Sequence, residues 1–86
     1  MTYRVKVKRS AHRFFEDKRV PLHARLRAAD AVEELGSRPR RGDKHLKGEY
    51  HCFWRRRVGD YRIIYRVSDE EKIVTVVEIC YRKRCY

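Results

Sequence analysis

The stretch Phe53-Trp54-Arg55-Arg56-Arg57-Val58-Gly59-Asp60-Tyr61-Arg62-Ile63-Ile64-Tyr65-Arg66-Val67 decides how this chain folds. Two β-prone runs flank Val58-Gly59-Asp60, a connection short enough to turn one strand back antiparallel on the other. In the second run Tyr61, Ile63, Tyr65 and Val67 point one way and Arg62, Ile64 and Arg66 the other, because successive side chains of a strand alternate between faces. One face suits a core and the other carries cations, with Arg62 and Arg66 on the same side.

Toward the C-terminus, Ser68-Asp69-Glu70-Glu71 is a second short connection. The strand that follows, Lys72 to Tyr81, is apolar on both sides through Ile73, Val74, Val76, Val77 and Ile79, the pattern of a strand in the middle of a sheet. It runs out into the basic, aromatic Tyr81-Arg82-Lys83-Arg84-Cys85-Tyr86. Toward the N-terminus, the first strand of the hairpin reads as Tyr50 to Arg57, and Ser37 to Glu49 as an exposed connection with Leu46 as its one apolar anchor. Before that, Leu26, Ala29, Val32 and Leu35 recur at three and four residues, which predicts a helix opening at Pro21 and closing at Gly36, where a left-handed cap is easy. Ser10 is placed to cap a shorter helix with Ala11, Phe14 and Phe15 on one side. Tyr3-Arg4-Val5-Lys6-Val7-Lys8 alternates with period two, a strand with one face on a core. The order β-α-α-β-β-β predicts one α+β domain over residues 1–86: a four-stranded, mainly antiparallel sheet with both helices on one face and the other face open. Tyr61 and Tyr65 are expected in the core and Trp54 against a helix, while His12, His23 and His45 read as surface residues.

The balance of charge points to the partner. Twenty-three Lys and Arg against 12 Asp and Glu leave 86 residues with a formal charge of +11, a field that attracts polyanions. Sixteen of the cations are Arg, whose planar fork grips phosphate through two parallel hydrogen bonds, so nucleic acid leads over mere solubility. Genomic base composition or heat adaptation also enriches Arg, and that is the plainer reading. No stretch approaches the ~20 apolar residues that span a bilayer, and Met1-Thr2-Tyr3-Arg4-Val5 has no apolar leader core, so a soluble, cytoplasmic protein is expected. Cys52, Cys80 and Cys85 form no C-x-x-C pair and, with His45 and His51, match no zinc spacing; the thiols are expected to stay reduced and no metal or other cofactor is indicated.

Leu46-Lys47-Gly48, Phe53 to Arg57, Gly59-Asp60-Tyr61-Arg62-Ile63-Ile64-Tyr65 and Tyr81-Arg82-Lys83-Arg84, in this order, resemble the toxins of the RelE/ParE superfamily. The likeness covers nearly the whole chain in element order and is specific over about its last forty residues. The resemblance implies the toxin of a type II toxin–antitoxin pair, a ribosome-dependent endoribonuclease that cleaves mRNA in the ribosomal A site without a metal. It implies an acidic, partly disordered antitoxin laid over the basic sheet face and helices. By the same resemblance Arg62 and Arg82 stand at the family's two catalytic arginines, and Tyr86 is the candidate for the tyrosine that follows them. The family's paired lysines fall on Phe53 and Arg55, so one cation is missing unless Arg57 replaces it.

The chemistry can be stated without the family. RNA is cut when its ribose 2′-OH loses a proton and attacks the adjacent phosphate, if cations stabilise the growing charge and a group protonates the 5′-oxygen. Arg62, with Arg55 across the hairpin, and Arg82 from the neighbouring strand end are candidates for the cations; Arg82 is also a candidate proton donor. Tyr86 is the candidate base, with Tyr81 as substitute and His51 in reserve, since a phenol among cations becomes more acidic. Lys47, Arg56, Arg57, Arg66, Lys83 and Arg84 are the candidate RNA-binding residues. The plainer reading of Arg55, Arg56 and Arg57 is an edge strand protected from aggregation by charge. Two other functions stay open: a ParE-like, non-catalytic inhibitor of gyrase, and a basic RNA-binding protein that cuts nothing.

Overall fold

The computed structural model describes residues 2–84, apart from the side chain of Lys83. Tyr86 and Cys85 lie outside the described residues. The elements are β1 (Arg4–Val7), α1 (Arg9–Glu16), α2 (Leu22–Leu35), β2 (Lys44–His45), β3 (Trp54–Val58), β4 (Tyr61–Ser68) and β5 (Ile73–Tyr81), with 3-10 turns at Gly48–Tyr50 and Arg82–Arg84. They build one sheet in the order β1-β5-β4-β3-β2, parallel between β1 and β5 and antiparallel elsewhere. The fold is α+β as expected, but with five strands rather than four. The added strand, β2, lies inside the expected loop: Lys44 pairs with Arg55 and His45 with Trp54. The expected strand from Tyr50 begins only at Trp54, because the chain turns through Gly48 at φ +68° and Phe53 N–H donates to Tyr50 O.

Strand alternation sorts the side chains. Ile63, Tyr65, Val74, Val76 and Ile79 face Ala11 and Phe14 of α1 and Ala28, Val32 and Leu35 of α2, and these ten residues form the buried core. Trp54, Val58, Tyr61 and Val67 pack at its margin, so both tyrosines belong to the helix side as the phase predicts. The β3–β4 turn has two residues, and its first, Gly59, adopts φ +60°, where a side chain is disfavoured.

Several helix details differ from the sequence reading. Lys8, not Ser10, precedes α1, and the Ser10 hydroxyl instead donates to Val77 O at 2.6 Å, tying the helix to β5. Pro21 stands at the N-cap of α2 rather than inside it. Gly36 is right-handed, at φ −65°; a Cβ there would meet Tyr3 O at 3.1 Å, so the glycine admits β1 close to the helix end. Leu26 and Ala29 are exposed, and Ala28 takes the core position instead. Cys80 is disulfide-bonded and Cys52 is free and exposed, which corrects the expectation of three reduced thiols. No described helix is long and apolar enough to cross a membrane.

The connection after α2 is held by buried charge. Arg56 points to the helix side, where its Nε donates to both carboxylate oxygens of Asp43 at 2.9 and 3.1 Å. Its Nη2 donates to Arg38 O at 2.8 Å and its Nη1 to Glu34 at 3.3 Å. The Tyr65 hydroxyl donates to Asp43 and accepts the Arg40 N–H, and burial, reinforced by Asp43, pushes this phenol far up. Side-chain exposure of 4% at Asp43 and 9% at Arg56 makes the pair a buried one. Removing one partner of such a pair strands the other charge. Asp43→Ala should therefore destabilise the fold by about 3–5 kcal/mol in urea denaturation; a loss below about 1 kcal/mol would show the pair to be no more than a surface contact.

A second clamp is exposed. Arg40 donates two hydrogen bonds to Asp69, at 2.9 and 3.0 Å, and Tyr3 Oη donates a third at 2.6 Å, joining the start of the chain to the β4–β5 turn. Arg40 first and Tyr3 second hold the Asp69 carboxyl down at about 2. A lowered folded-state pKa gives stability that is complete above the ordinary value of about 4 and is lost as pH falls toward the folded one. Between pH 5 and 2 the melting temperature of Asp69→Asn should thus fall less than that of the wild type; parallel curves would remove Asp69 from the acid response.

Candidate nucleic-acid interface

The face away from the helices is built by the same alternation. β3 places Arg55 and Arg57 on it and β4 places Arg62, Ile64 and Arg66, while Trp54, Arg56 and Val58 take the other side. The register sets Arg57 directly opposite Arg62, and Arg55 opposite Ile64. Arg62 therefore has Arg57 as its cross-strand neighbour and Arg55 on the diagonal, rather than Arg55 beside it. β2 adds Lys44, opposite Arg55.

Arg62 is the centre of the cluster. It is 9% exposed, and its Nη1 donates to Gly59 O at 3.2 Å and Tyr61 O at 3.0 Å, which orients the guanidinium at the turn. Burial first, then Arg57 and Arg55, lower its pKa, with Asp60 opposing and Arg82 adding to the effect. The guanidinium stays charged near neutral pH. The register brings Arg57 and Arg55 to Arg62 on one face, and Arg82 at the end of β5 lies within electrostatic range of the same guanidinium. Arg82 is held there from the end of β5: its N–H donates to Asp60 O at 2.8 Å, its Nη1 lies 3.6 Å from Asp60 Oδ1, and its guanidinium lies 5.6 Å from the Tyr81 ring centre. Four cations against two carboxylates, Asp60 at the turn and Glu78 opposite Ile64, leave an excess of positive charge that suits an anion.

Beside Arg55 a hollow of about 420 Å³ is lined by Lys44, Leu46, Lys47, Tyr50 and Arg55. Lys47 thus lies next to the cluster. Lys44 and Tyr50 are residues that sequence reasoning misses. It puts Tyr50 in a strand and Lys44 in an unstructured loop, and nothing in the local sequence signals the two-residue strand that brings them together.

Other expected residues fall elsewhere. Arg56, read as RNA-binding, is locked on the helix side by Asp43, Glu34 and Arg38 O, so its guanidinium does not reach the open face. Tyr81, the substitute base, pairs with Tyr61 on the helix side, their rings edge to face at 5.5 Å. Arg84 lines a hollow of about 600 Å³ near α1, with Arg13, Phe14, Tyr61 and Tyr81, away from Arg62. His51 points its Nδ1 at Gly48 O, at 3.1 Å, and its Nε2 lies 3.5 Å from Cys52 Sγ. Arg66 shares the face of Arg62 but lies four residues along β4. Tyr86 and the Lys83 side chain are outside the described residues. Among those residues no group of three or more His, Cys, Asp or Glu is placed to hold a metal ion.

This fold and cluster define a class. Residues 5–86 match the family described as the ParE toxin of the type II toxin–antitoxin system parDE, and the chain belongs to that family, within the RelE/ParE superfamily of toxins. Among solved structures it is similar to the toxin–antitoxin complex RelBE2 from Mycobacterium tuberculosis, at 26% identity and a TM-score of 0.83 over 95% of this chain and 100% of the other. It is also similar to the archaeal RelE–RelB complex from Pyrococcus horikoshii, at 26% identity and 0.78 over 99% and 100%. The isolated E. coli RelE toxin shares the fold, with a TM-score of 0.76 at 21% identity over 96% of this chain and 87% of the other. No curated protein sequence matches the chain. The chain is a type II toxin of this superfamily.

Each phosphate that the cluster neutralises should add to the salt dependence of RNA binding, which gives the open face a measurable signature. Arg57→Ala should weaken binding of single-stranded RNA and reduce the slope of log affinity against log salt by about 0.7. Arg13→Ala, on the helix side, should leave the slope as it was. Equal slopes for the two variants would mean that RNA does not bind through the open face.

Proposed function

We propose that the chain is an endoribonuclease that cuts mRNA on the ribosome, using arginines to stabilise the phosphate during attack by the ribose 2′-OH. The observation that carries this reading is the buried Arg62 set directly opposite Arg57 with Arg55 on the diagonal, its pKa lowered by burial and then by those two cations. Such crowding is unfavourable in the free protein and becomes favourable when a phosphodiester, gaining charge in the transition state, enters. In this reading Arg57 supplies the second cation in place of the lysine missing at Phe53, Arg62 grips a non-bridging oxygen, and Arg82 covers the leaving 5′-oxygen. For the proton of the 2′-OH, Tyr50 stands beside Arg55, Lys44 and Lys47, and Tyr86 remains the candidate from the tail.

Relatives of similar fold were solved as complexes with RelB, which supports an antitoxin as partner of this chain. An acidic segment over the open face would silence it by occupying the cations that RNA needs.

The family match to ParE favours a second reading, a toxin that inhibits gyrase and cuts nothing. Primer extension on translated message separates the two. The wild type should leave discrete cuts, and Arg62→Ala and Arg82→Ala should each reduce cleavage by about 10²–10³, the loss typical of one donor to a developing oxyanion, and should relieve growth arrest while melting like the wild type. Toxicity undiminished in both variants, or intact message together with blocked supercoiling, would replace the ribonuclease by the gyrase inhibitor.

A further inference from the structure

The open face holds a second group of cations that the proposed chemistry leaves unused. β1 puts Arg4 and Lys6 there, because Val5 and Val7 take the core side. The register sets Lys6 against Thr75 of β5, and Thr75 against Arg66 of β4, so Lys6 and Arg66 lie on one line across the sheet with a short side chain between them. Their backbones are two strand spacings, about 10 Å, apart, within the joint reach of two long side chains. Arg4, Lys6 and Arg66 are all exposed, and none of them takes part in an ion pair among the described residues. The carboxylates nearby are Glu71, which borders Arg66 from the β4–β5 turn, and Glu78, which faces Ile64 between this group and Arg62. Arg66 is four residues, about 13 Å, from Arg62 along the strand, too far for one phosphodiester to touch both.

We propose that Arg4, Lys6 and Arg66 form a second phosphate-binding site, which holds the backbone of an RNA segment other than the phosphodiester at Arg62. It rests on the reading of this face as an RNA surface and concerns binding alone. The site carries long, mobile cations with only Thr75 and Ser68 as neutral polar neighbours, so it reads charge and spacing rather than base identity. It fixes where RNA lies on the sheet while the Arg62 cluster acts on one bond.

The test uses the full chain and two single-stranded RNA probes, of about five and about twenty nucleotides, bracketing typical single-strand site sizes. For the double variant Arg4→Ala/Lys6→Ala, the slope of log affinity against log salt on the longer probe should fall by about 1.4, two phosphates at about 0.7 each, and for Arg66→Ala by about 0.7. Affinity for the short probe, which the Arg62 cluster alone can hold, should stay within about twofold, as should single-turnover cleavage of message on programmed ribosomes at saturating protein. An unchanged slope on the longer probe would overturn the proposal. So would an equal loss on both probes, the mark of a general field, or wild-type RNA binding combined with loss of an acidic protein partner. If the wild type cuts no message on programmed ribosomes but the slope falls as stated, the ribonuclease reading fails and the second site stands.

Discussion

The antiparallel register between β3 and β4, with Arg57 opposite Arg62, is the constraint on which the functional face depends. Like charges directly across a strand pair disfavour the pairing. The pairing holds because the other face of the same strands is buried: Ile63 and Tyr65 alternate with Arg62 and are fully enclosed beneath the helices. A slip of one residue would turn Ile63 and Tyr65 to solvent and Arg62 to the core, so hydrophobic burial enforces a register that electrostatics alone would reject. The core thus holds the arginines in an arrangement whose repulsion only an anion relieves.

The same alternation explains why three consecutive arginines have two different fates. Arg55 and Arg57 emerge on the open face, and Arg56, between them, enters the helix side, where Asp43, Glu34 and a backbone carbonyl satisfy it. A buried guanidinium needs such partners. They come from the end of α2 and the long connection after it, so pairing Arg56 also draws that connection against the sheet. The next residue after Asp43 is Lys44, which opens β2 and faces Arg55. The inward ion pair therefore helps set the position of an outward cation.

Much of this is legible in the chain itself. Period two in Tyr61 to Val67 gives the inward and outward sets of β4 correctly, and the double-sided apolar run of Ile73 to Ile79 marks β5 as interior, where the sheet order indeed puts it. The placing of Arg55 and Arg62 on one face follows from that phase, but the part of Arg57 depends on the two-residue length of the Gly59-Asp60 turn, which sequence brackets only to within a residue. Arg56 is misread because a run of three cations looks like one patch, although strict alternation already excludes its middle member. Lys44 and Tyr50 are illegible for a different reason: a two-residue strand has no period, and the Arg56–Asp43 pair beside it joins residues 13 apart in sequence. Leu26 fits the helical repeat, yet Ala28, Val32 and Leu35, spaced four and three residues apart, are the ones that α2 buries, and both sets satisfy the same period.

The division of labour within the site follows from what these residues can and cannot do. Guanidinium groups hold charge throughout the range in which cells work, so they stabilise a phosphate but are poor acceptors for its nucleophile's proton. Arg62 illustrates the limit: even with burial and two neighbouring arginines lowering its pKa, it remains a cation. On the ribonuclease reading, charge stabilisation would therefore be over-supplied on this face and proton transfer would be the scarce function. Tyr50 lines the same hollow as Arg55, Lys44 and Lys47, so a phenol stands on the surface where those cations would hold a phosphate. Covering those cations with an acidic chain would remove both functions together, because the phosphate would lose its seat and the phenol its access to RNA. On the ribonuclease reading, activity would depend on one excess of positive charge, which a single anionic partner could switch off.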